Sequence, residues 1–314
     1  MKRIGTRLVI CLLLVSLLAV TVSAASLENC PGSCAHQAAV DTTHYDTLAE
    51  ALTAADAGKT VTLLADITLS APVTAEKSVA LDLGGHTLTG NLIFTDDGTI
   101  RNGKLIAADG IGVLADGCTL VIEKDAQLEG CGTAPALAIT ADKDEEALVK
   151  VSGKISGADT APVILAESLD GSCALSILKN AELTADTNPV ISFDSEGKLE
   201  IADGTLQGKK DLITVHIAKD RKTEISVTGG KLLSKEGEVI VFTEEEGAEI
   251  PKDFVTGGTY NTVPTAYVPA YCRIVKNADG TGTVISSYTL TFLSGGASGS
   301  MKPVTVQCGS SYSL

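Results

Sequence analysis

The residues best suited to bind or react lie close together near the N terminus. Cys30-Pro-Gly-Ser-Cys34 is followed by His36 and His44. Two thiolates and two imidazoles are ligand types that suit zinc. The spacing is not one of the usual structural zinc patterns. A local disulfide across the Pro-Gly turn between Cys30 and Cys34, or two unpaired thiols, is the plainer reading.

Carboxylates are the other candidates, because paired Asp or Glu side chains do general acid and base work. Asp96, Asp97, Asp109, Asp116, Asp125, Asp142 and Asp144 are scattered, with Arg101 and Lys104 as the nearest basic pair. They form no consistent constellation, so Asp96 and Asp97 with Arg101 read as a solvated loop. Glu244-Glu245-Glu246 reads as a solvated turn. His86 and His216 have no nearby nucleophile or paired carboxylate and read as structural. No catalytic or cofactor-binding residue is assigned and no cofactor is implied. The chain has no Trp and only 4% aromatic residues, which weakens any reading that stacks sugar rings on aromatic side chains.

The elements that would carry these residues show in a pattern that returns eight times between residues 79 and 260. Two turn-forming or small residues and a spacer precede an apolar residue, as in Gly85-His86-Thr87-Leu88 and Asn102-Gly103-Lys104-Leu105. The later copies end on Leu128, Ile155, Leu183, Leu206, Leu232 and Tyr260, with successive spacings of 17, 23, 27, 28, 23, 26 and 28 residues. The first position is always Gly, Asn, Asp or Ser, the turn formers, so a corner with φ > 0 is expected there. Before the corners lie alternating pairs such as Leu120/Ile122, Val149/Val151 and Leu175/Ile177, which put apolar side chains on one face of a strand. A further strand follows in Ala136–Ile139, Pro162–Leu165, Pro189–Ser192, Leu212–Val215 and Val239–Phe242. Two or three strands in about 25 residues, with no helical period between them, predict one turn of a parallel β-helix. The short loops leave little material for a deep pocket.

Residues 47–58 predict one helix, with Thr47 and Glu50 as a capping box, Leu48, Ala51, Leu52 and Ala55 as its apolar stripe and Gly58 as its end. It is placed to cover the open end of the solenoid core. Residues 1–25 predict a secretory signal peptide: Lys2, Arg3 and Arg7, an apolar stretch from Leu8 to Val20, then Ser23-Ala24-Ala25. No other segment is long enough to span a bilayer. Removing three of the 24 basic residues leaves 21 against 39 acidic ones, a charge of −18. Such a surface repels nucleic acid and anionic lipid.

Eight cysteines are present, and Cys11 would leave with the signal peptide. Cys118 and Cys173 each stand two residues before an inward leucine, with Ala147 in the same place between them. Two turns, about 9–10 Å on the usual strand spacing, is too far for a disulfide, so both read as small core residues. Cys131, Cys272 and Cys308 have no predictable partner.

The run Tyr45-Asp-Thr-Leu48, Ala49-Glu-Ala-Leu52, Gly58-Lys-Thr-Val61-Thr-Leu-Leu64 and Leu81-Asp-Leu-Gly-Gly-His-Thr-Leu88 resembles the opening of a family of secreted bacterial proteins. These share the pectin-lyase-like right-handed β-helix and are often described as surface or adhesin-like. Gly257-Gly-Thr-Tyr260, Ala266-Tyr-Val268 and Asn277-Ala-Asp-Gly-Thr-Gly-Thr-Val284 resemble the rung and hairpin that close such a domain. Tyr288-Thr-Leu-Thr-Phe292, Gly295-Gly296, Val304-Thr-Val306 and Tyr312-Ser-Leu314 resemble the Listeria–Bacteroides repeat, the small β-grasp-like B repeat of internalin-type proteins. The segment stops where that repeat continues with a further strand, so a C-terminally truncated chain is expected.

The resulting expectation is an all-β chain. It comprises a signal peptide (1–25), an N-terminal segment with a capping helix (26–60), a right-handed parallel β-helix (61–286) and a partial B-type repeat (287–314). The resemblance implies a non-catalytic, secreted or cell-surface rod or display module with a host, matrix or cell-wall partner. Enzymes on the same fold imply the alternative, a polysaccharide lyase or glycoside hydrolase. Lyases there hold calcium on carboxylates and use a basic Arg or Lys, and hydrolases cluster Asp or Glu on adjacent rungs.

Overall fold

The computed structural model describes residues 35–157, 160–291, 302–308 and 310. The expected signal peptide, Cys30, Cys34 and part of the B-type repeat motif lie outside the described residues.

The chain winds into a β-solenoid of about eight turns, with three strands per turn. Thr119–Ile122, Ala126–Glu129 and Leu137–Thr140 make one turn, and each pairs in parallel with its equivalents above and below. We number the three faces in that order. The repeated apolar residue lies on the second face. Leu88, Leu105, Leu128, Ile155, Leu183, Leu206, Leu232 and Tyr260 are successive register partners, and none is more than 1% exposed. Burying a side chain of this size contributes about 1.5–3 kcal/mol each. On the first face Leu120, Val149, Leu175, Leu199 and Ile225 stack in the same way. On the third the ladder is Leu92, Val113, Leu137, Ile164, Ile191, Ile213 and Ile240.

The backbone does not meet the corners as uniformly as the residue pattern suggests. Positive φ falls on the first position at Gly85, Asn102 and Asn180, and on the second at Gly103, Gly204, Gly230 and Gly258. The copies at Asp125 and Ser152 have it at neither. Gly153 is needed there for a different reason: a Cβ would lie 2.6 Å from the carbonyl oxygens of Glu123 and Ala126. Close approach of successive turns, not only turn handedness, selects small residues.

Between the third and first faces two turns have no break. Ile164–Ile177 and Ile191–Ile201 run round the corner as single bent strands, the first with an irregularity between Glu167 and Ser172. Buried Ser168 sits in it, donating to the Ala141 carbonyl and accepting from the Gly171 N–H, both at 2.8 Å. Every buried side-chain N or O atom among the described residues has a partner.

The N-terminal end is closed by two pieces. Ala38–Val40 pairs antiparallel with Thr43–Tyr45 on one edge and with the first-turn strand Lys59–Leu63 on the other. The helix Leu48–Ala54 has the expected capping box and buries Leu48, Ala51 and Leu52. It stops short of the expected Gly58, because Ala55 is extended and itself buried. The Lys77 ammonium donates to the carbonyls of Thr53 and Ala55 at 2.9 Å, taking over terminal carbonyls that a helix leaves unpaired. Gly58, at φ +81, serves the turn into the first strand instead. At the other end Thr259–Tyr260 receives the antiparallel strand Gly282–Ile285, itself paired with Arg273–Lys276. Phe242, Phe254 and Tyr267 pack with ring centroids 5.1–6.0 Å apart beside it. The final ladder position is Tyr260, whose hydroxyl donates to the Gly257 carbonyl at 2.6 Å. Beyond it, Ser287–Leu290 pairs antiparallel with Val304–Gln307.

The first-face ladder contains one gap. Gly98 stands between Val79 and Leu120, and a Cβ there would lie 2.4 Å from the Phe94 ring. The phenyl ring fills the place of the missing side chain. Gly98→Val is therefore expected to cost about 1–3 kcal/mol by overpacking, and Phe94→Ala about 3–5 kcal/mol by leaving a cavity. Together they should cost less than their sum, because the valine occupies space the ring vacates. Urea denaturation of the double-mutant cycle checks this.

Candidate functional site

Inward positions of the solenoid strands are used by the core, so outward positions and corners form the surface open to other molecules. On the second face the outward residue before each ladder position forms its own row: Lys104, Gln127, Lys154, Glu182, Thr205 and Lys231, in register. A second row follows the ladder position: Glu129, Ser156, Thr184, Gln207 and Leu233. Three hollows of about 160, 440 and 440 Å³ lie along these rows. Glu182 lines the first and second, and Thr184 the first and third. They form one shallow trough running across the turns.

Its outward side chains are mostly hydroxyl, amide, ammonium and carboxylate, over a floor that includes Leu128, Ile155, Ala181 and Ala185, and no aromatic ring lines it. The charges pair along it: Lys104 Nζ lies 2.5 Å from Glu129 Oε2, and Lys154 Nζ 2.8 Å from Glu182 Oε2. These pairs are about half exposed and contribute little to stability. They leave donors and acceptors in alternation on a flat, fixed surface, suited to holding an extended polar partner by many weak contacts.

The residues singled out for acid and base chemistry do not converge. Arg101 lies with Asp82, its Nε 3.0 Å from the Asp82 carboxylate, and not with Asp96 and Asp97. Asp97 accepts from the Thr119 N–H at 2.8 Å, and Asp96 from the Asp97 N–H at 2.7 Å. Asp116 accepts from the Thr140 hydroxyl at 2.8 Å. Asp97 and Asp116 tie one turn to the next, whereas the Asp96 contact is local. Glu244 ends the strand Ile240–Glu244, and Glu245 accepts from the Lys219 N–H. His86 is at a corner, 3.4 Å from Asp66, and His216 lies in the strand Ile213–Ile217, 3.1 Å from the Thr243 hydroxyl.

Arg221 has a structural role that its sequence context does not signal. It pairs with Asp194 and donates to the Ser168 and Asp194 carbonyls at 2.8 and 3.2 Å, clamping three successive turns at one corner. In the run Lys219-Asp220-Arg221-Lys222 nothing distinguishes it from a solvated charge.

Cys118 and Cys173 are buried as expected, Cys173 directly opposite Ala147. Burial, reinforced by the charges of Asp97, Asp116 and Asp96, pushes the Cys118 thiol up to about 11, against a backbone hydrogen bond at Asp116. Burial also raises Cys173 despite a hydrogen bond involving Ser195. Neither thiol is a nucleophile near neutral pH.

Of the N-terminal candidates, His36 and His44 come together with ring centroids 5.8 Å apart, and His36 Nδ1 lies 2.6 Å from Asp46 Oδ1. Cys30 and Cys34 lie outside the described residues. Among the described residues no group of three or more His, Cys, Asp or Glu is placed to hold a metal, and no helix is long and apolar enough to cross a membrane.

The chain matches no protein-family model, no curated protein and no solved structure. The β-helix therefore rests on the strand registers themselves.

Asp82 gives these corners a pH dependence. Burial of its carboxyl acts to raise the pKa, but hydrogen bonds from Gly84, Asn102 and Arg101, with the Arg101 charge, outweigh it and hold the group below the usual carboxylate range. A lowered folded-state pKa contributes stability that is present above the unfolded value of about 3.9 and is lost as pH falls through the folded value. Asp82→Asn should cost about 1–3 kcal/mol at pH 7, with the gap to wild type closing as pH falls through the lowered folded-state value of Asp82. Urea denaturation across pH checks this. In the native protein iodoacetamide should label exposed Cys131 and spare Cys118 and Cys173 until unfolding, as read by peptide mass mapping.

Proposed function

We propose that this is a non-catalytic, secreted bacterial surface protein. In this reading the solenoid is a rigid rod that displays the second-face trough to an extended polar partner of a host, matrix or cell wall. The observation that carries the reading is the division of labour among the side chains. Three inward ladders hold the turns, and Asp82, Asp97, Asp116 and Asp194 are spent on joining them, which leaves a flat polar face as the surface for contact. The resemblance of residues 45–285 to adhesin-like β-helix proteins, and of the following segment to a B-type repeat, supports a stalked surface module. The signal-like segment 1–25 supports export.

The fold also hosts polysaccharide lyases and hydrolases, and fold alone does not assign function. Cells expressing the full-length gene should retain the protein at their surface, where external protease removes it. The isolated protein should release no reducing ends or unsaturated products from pectins, alginates or glycosaminoglycans. Release of either product would establish the enzyme instead, and loss of the protein to the medium would remove the surface role.

Substitutions on the trough should separate binding from folding. Thr184→Arg and Gln207→Arg add bulk on exposed outward positions and should leave the melting temperature within about 2 °C, since surface changes away from special features cost little. Adhesion of coated beads to host matrix or cell wall should fall at least tenfold. Unchanged adhesion would place the contact on another face.

A further inference from the structure

We propose that the C-terminal closure of one molecule docks on the N-terminal closure of a second copy, so that solenoid rods join end to end. The contact is made by the open edge of the strand Arg273–Lys276.

That strand is the last of its sheet and pairs only with Gly282–Ile285. All four of its residues are exposed. Ile274 and Val275, 47% and 45% exposed, are two of the five large hydrophobic residues that stand out in solvent among the described residues, and Tyr271 beside them is a third. The Asn277 N–H donates to the Thr281 carbonyl. This bond sets the alternation of the hairpin, so the backbone groups of Ile274 and Lys276 point to the open side. The Val284 N–H points the other way, to the Gly258 carbonyl, and Ser286, two residues on, shares its direction. The Cys308 N–H donates to the Ser286 carbonyl at 2.7 Å. The hairpin of Ser287–Leu290 and Val304–Gln307 therefore leaves on the far side and keeps the edge clear.

An open edge with apolar side chains is a template for association, and its charges decide the partner. Arg273 and Lys276 make no ion pair among the described residues. Asp279 is the one acid between residues 254 and 291, and its carboxylate accepts from the Thr281 N–H and hydroxyl. This end is cationic in a chain of net charge −15. Full pairing of the edge with its own copy across a two-fold axis would set Arg273 opposite Lys276, like charge against like. The other end of the rod is complementary. Residues 35–58 hold Asp41, Asp46, Glu50 and Asp56 and no Lys or Arg. Lys59 reaches back to Asp41 at 2.8 Å, and Lys77 is engaged by the helix carbonyls. Asp46 contacts only His36 and is 78% exposed; with Glu50 and Asp56 it has no ion pair to Lys or Arg among the described residues. A contact between unlike ends is heterologous and does not close on itself, so it propagates into a line of rods.

Sedimentation velocity of the protein as exported tests this. At low ionic strength the sedimentation coefficient should rise with protein concentration, and it should return to that of the monomer in about 1 M salt, where the Debye length is about 3 Å. Arg273→Glu with Lys276→Glu, and separately Asp46→Lys with Asp56→Lys, should each hold the protein as a monomer. A chain carrying all four substitutions should associate again, because the charges of the two ends are exchanged. These positions are on the surface, so melting temperatures within about 2 °C of wild type show that each variant folds. A monomer at every concentration in low salt overturns the proposal. Association that survives Asp46→Lys with Asp56→Lys, or that fails to return in the four-substituted chain, overturns it equally.

Discussion

Parallel strands stacked in register force every inward side chain to rest on its equivalent one turn away. That constraint explains most of what the chain contains. The second-face position is Leu or Ile in eight successive turns, from Ile67 to Leu232, because an aliphatic side chain of that size fills the turn and the gap to its neighbours. Tyr260 takes the place only at the last position, where its hydroxyl finds the Gly257 carbonyl. Gly98 breaks the first-face row and Phe94 fills the gap. Both ends of such a stack would expose apolar side chains, so both are closed: one by the antiparallel hairpin and the helix Leu48–Ala54, the other by the strand Gly282–Ile285 and three packed aromatic rings.

The same stacking determines what polar residues do. A corner repeated every turn brings backbone N–H and C=O groups of successive turns alongside one another, and these need partners. Asp97 and Ser168 meet groups of this kind directly, Asp116 reaches the next turn through the Thr140 hydroxyl, and Arg221 joins three turns at once. An acidic chain need not therefore hold an acidic active site. Many of its carboxylates serve as acceptors at corners, and the outward rows of the strands remain at the surface.

The architecture was legible in the sequence because it repeats. Eight apolar positions recurring every 17 to 28 residues and the alternating pairs before them identify strands, corners and inward faces without reference to distant contacts. The capping box at Thr47 and Glu50 was legible for the same local reason. The helix end was not, since Lys77 from a later turn supplies the partner for its last carbonyls. The place of positive φ was not either: Gly153 is small to admit a neighbouring turn, and only the assembled stack shows that. Arg101 was set beside Asp96 and Asp97 by sequence proximity, whereas stacking delivers it to Asp82. The trough depends on which outward residues become register partners, and spacings of 23 to 28 residues conceal that. His36 and His44 are recognisable in the sequence as ligand types, but their approach and the His36–Asp46 contact follow from the hairpin.

Register is the central claim, and directed disulfide formation tests it most directly. Gln127 and Lys154 are register partners on adjacent turns, and Glu182 lies one turn further. Cysteines at 127 and 154, in a background with Cys131 replaced by Ser, should form a disulfide on mild oxidation with no loss of β-structure, because their backbones lie about one strand spacing apart. Cysteines at 127 and 182, about twice as far apart, should remain reduced. Cross-linking of the distant pair in preference to the adjacent one would contradict the ladder, and with it the rod.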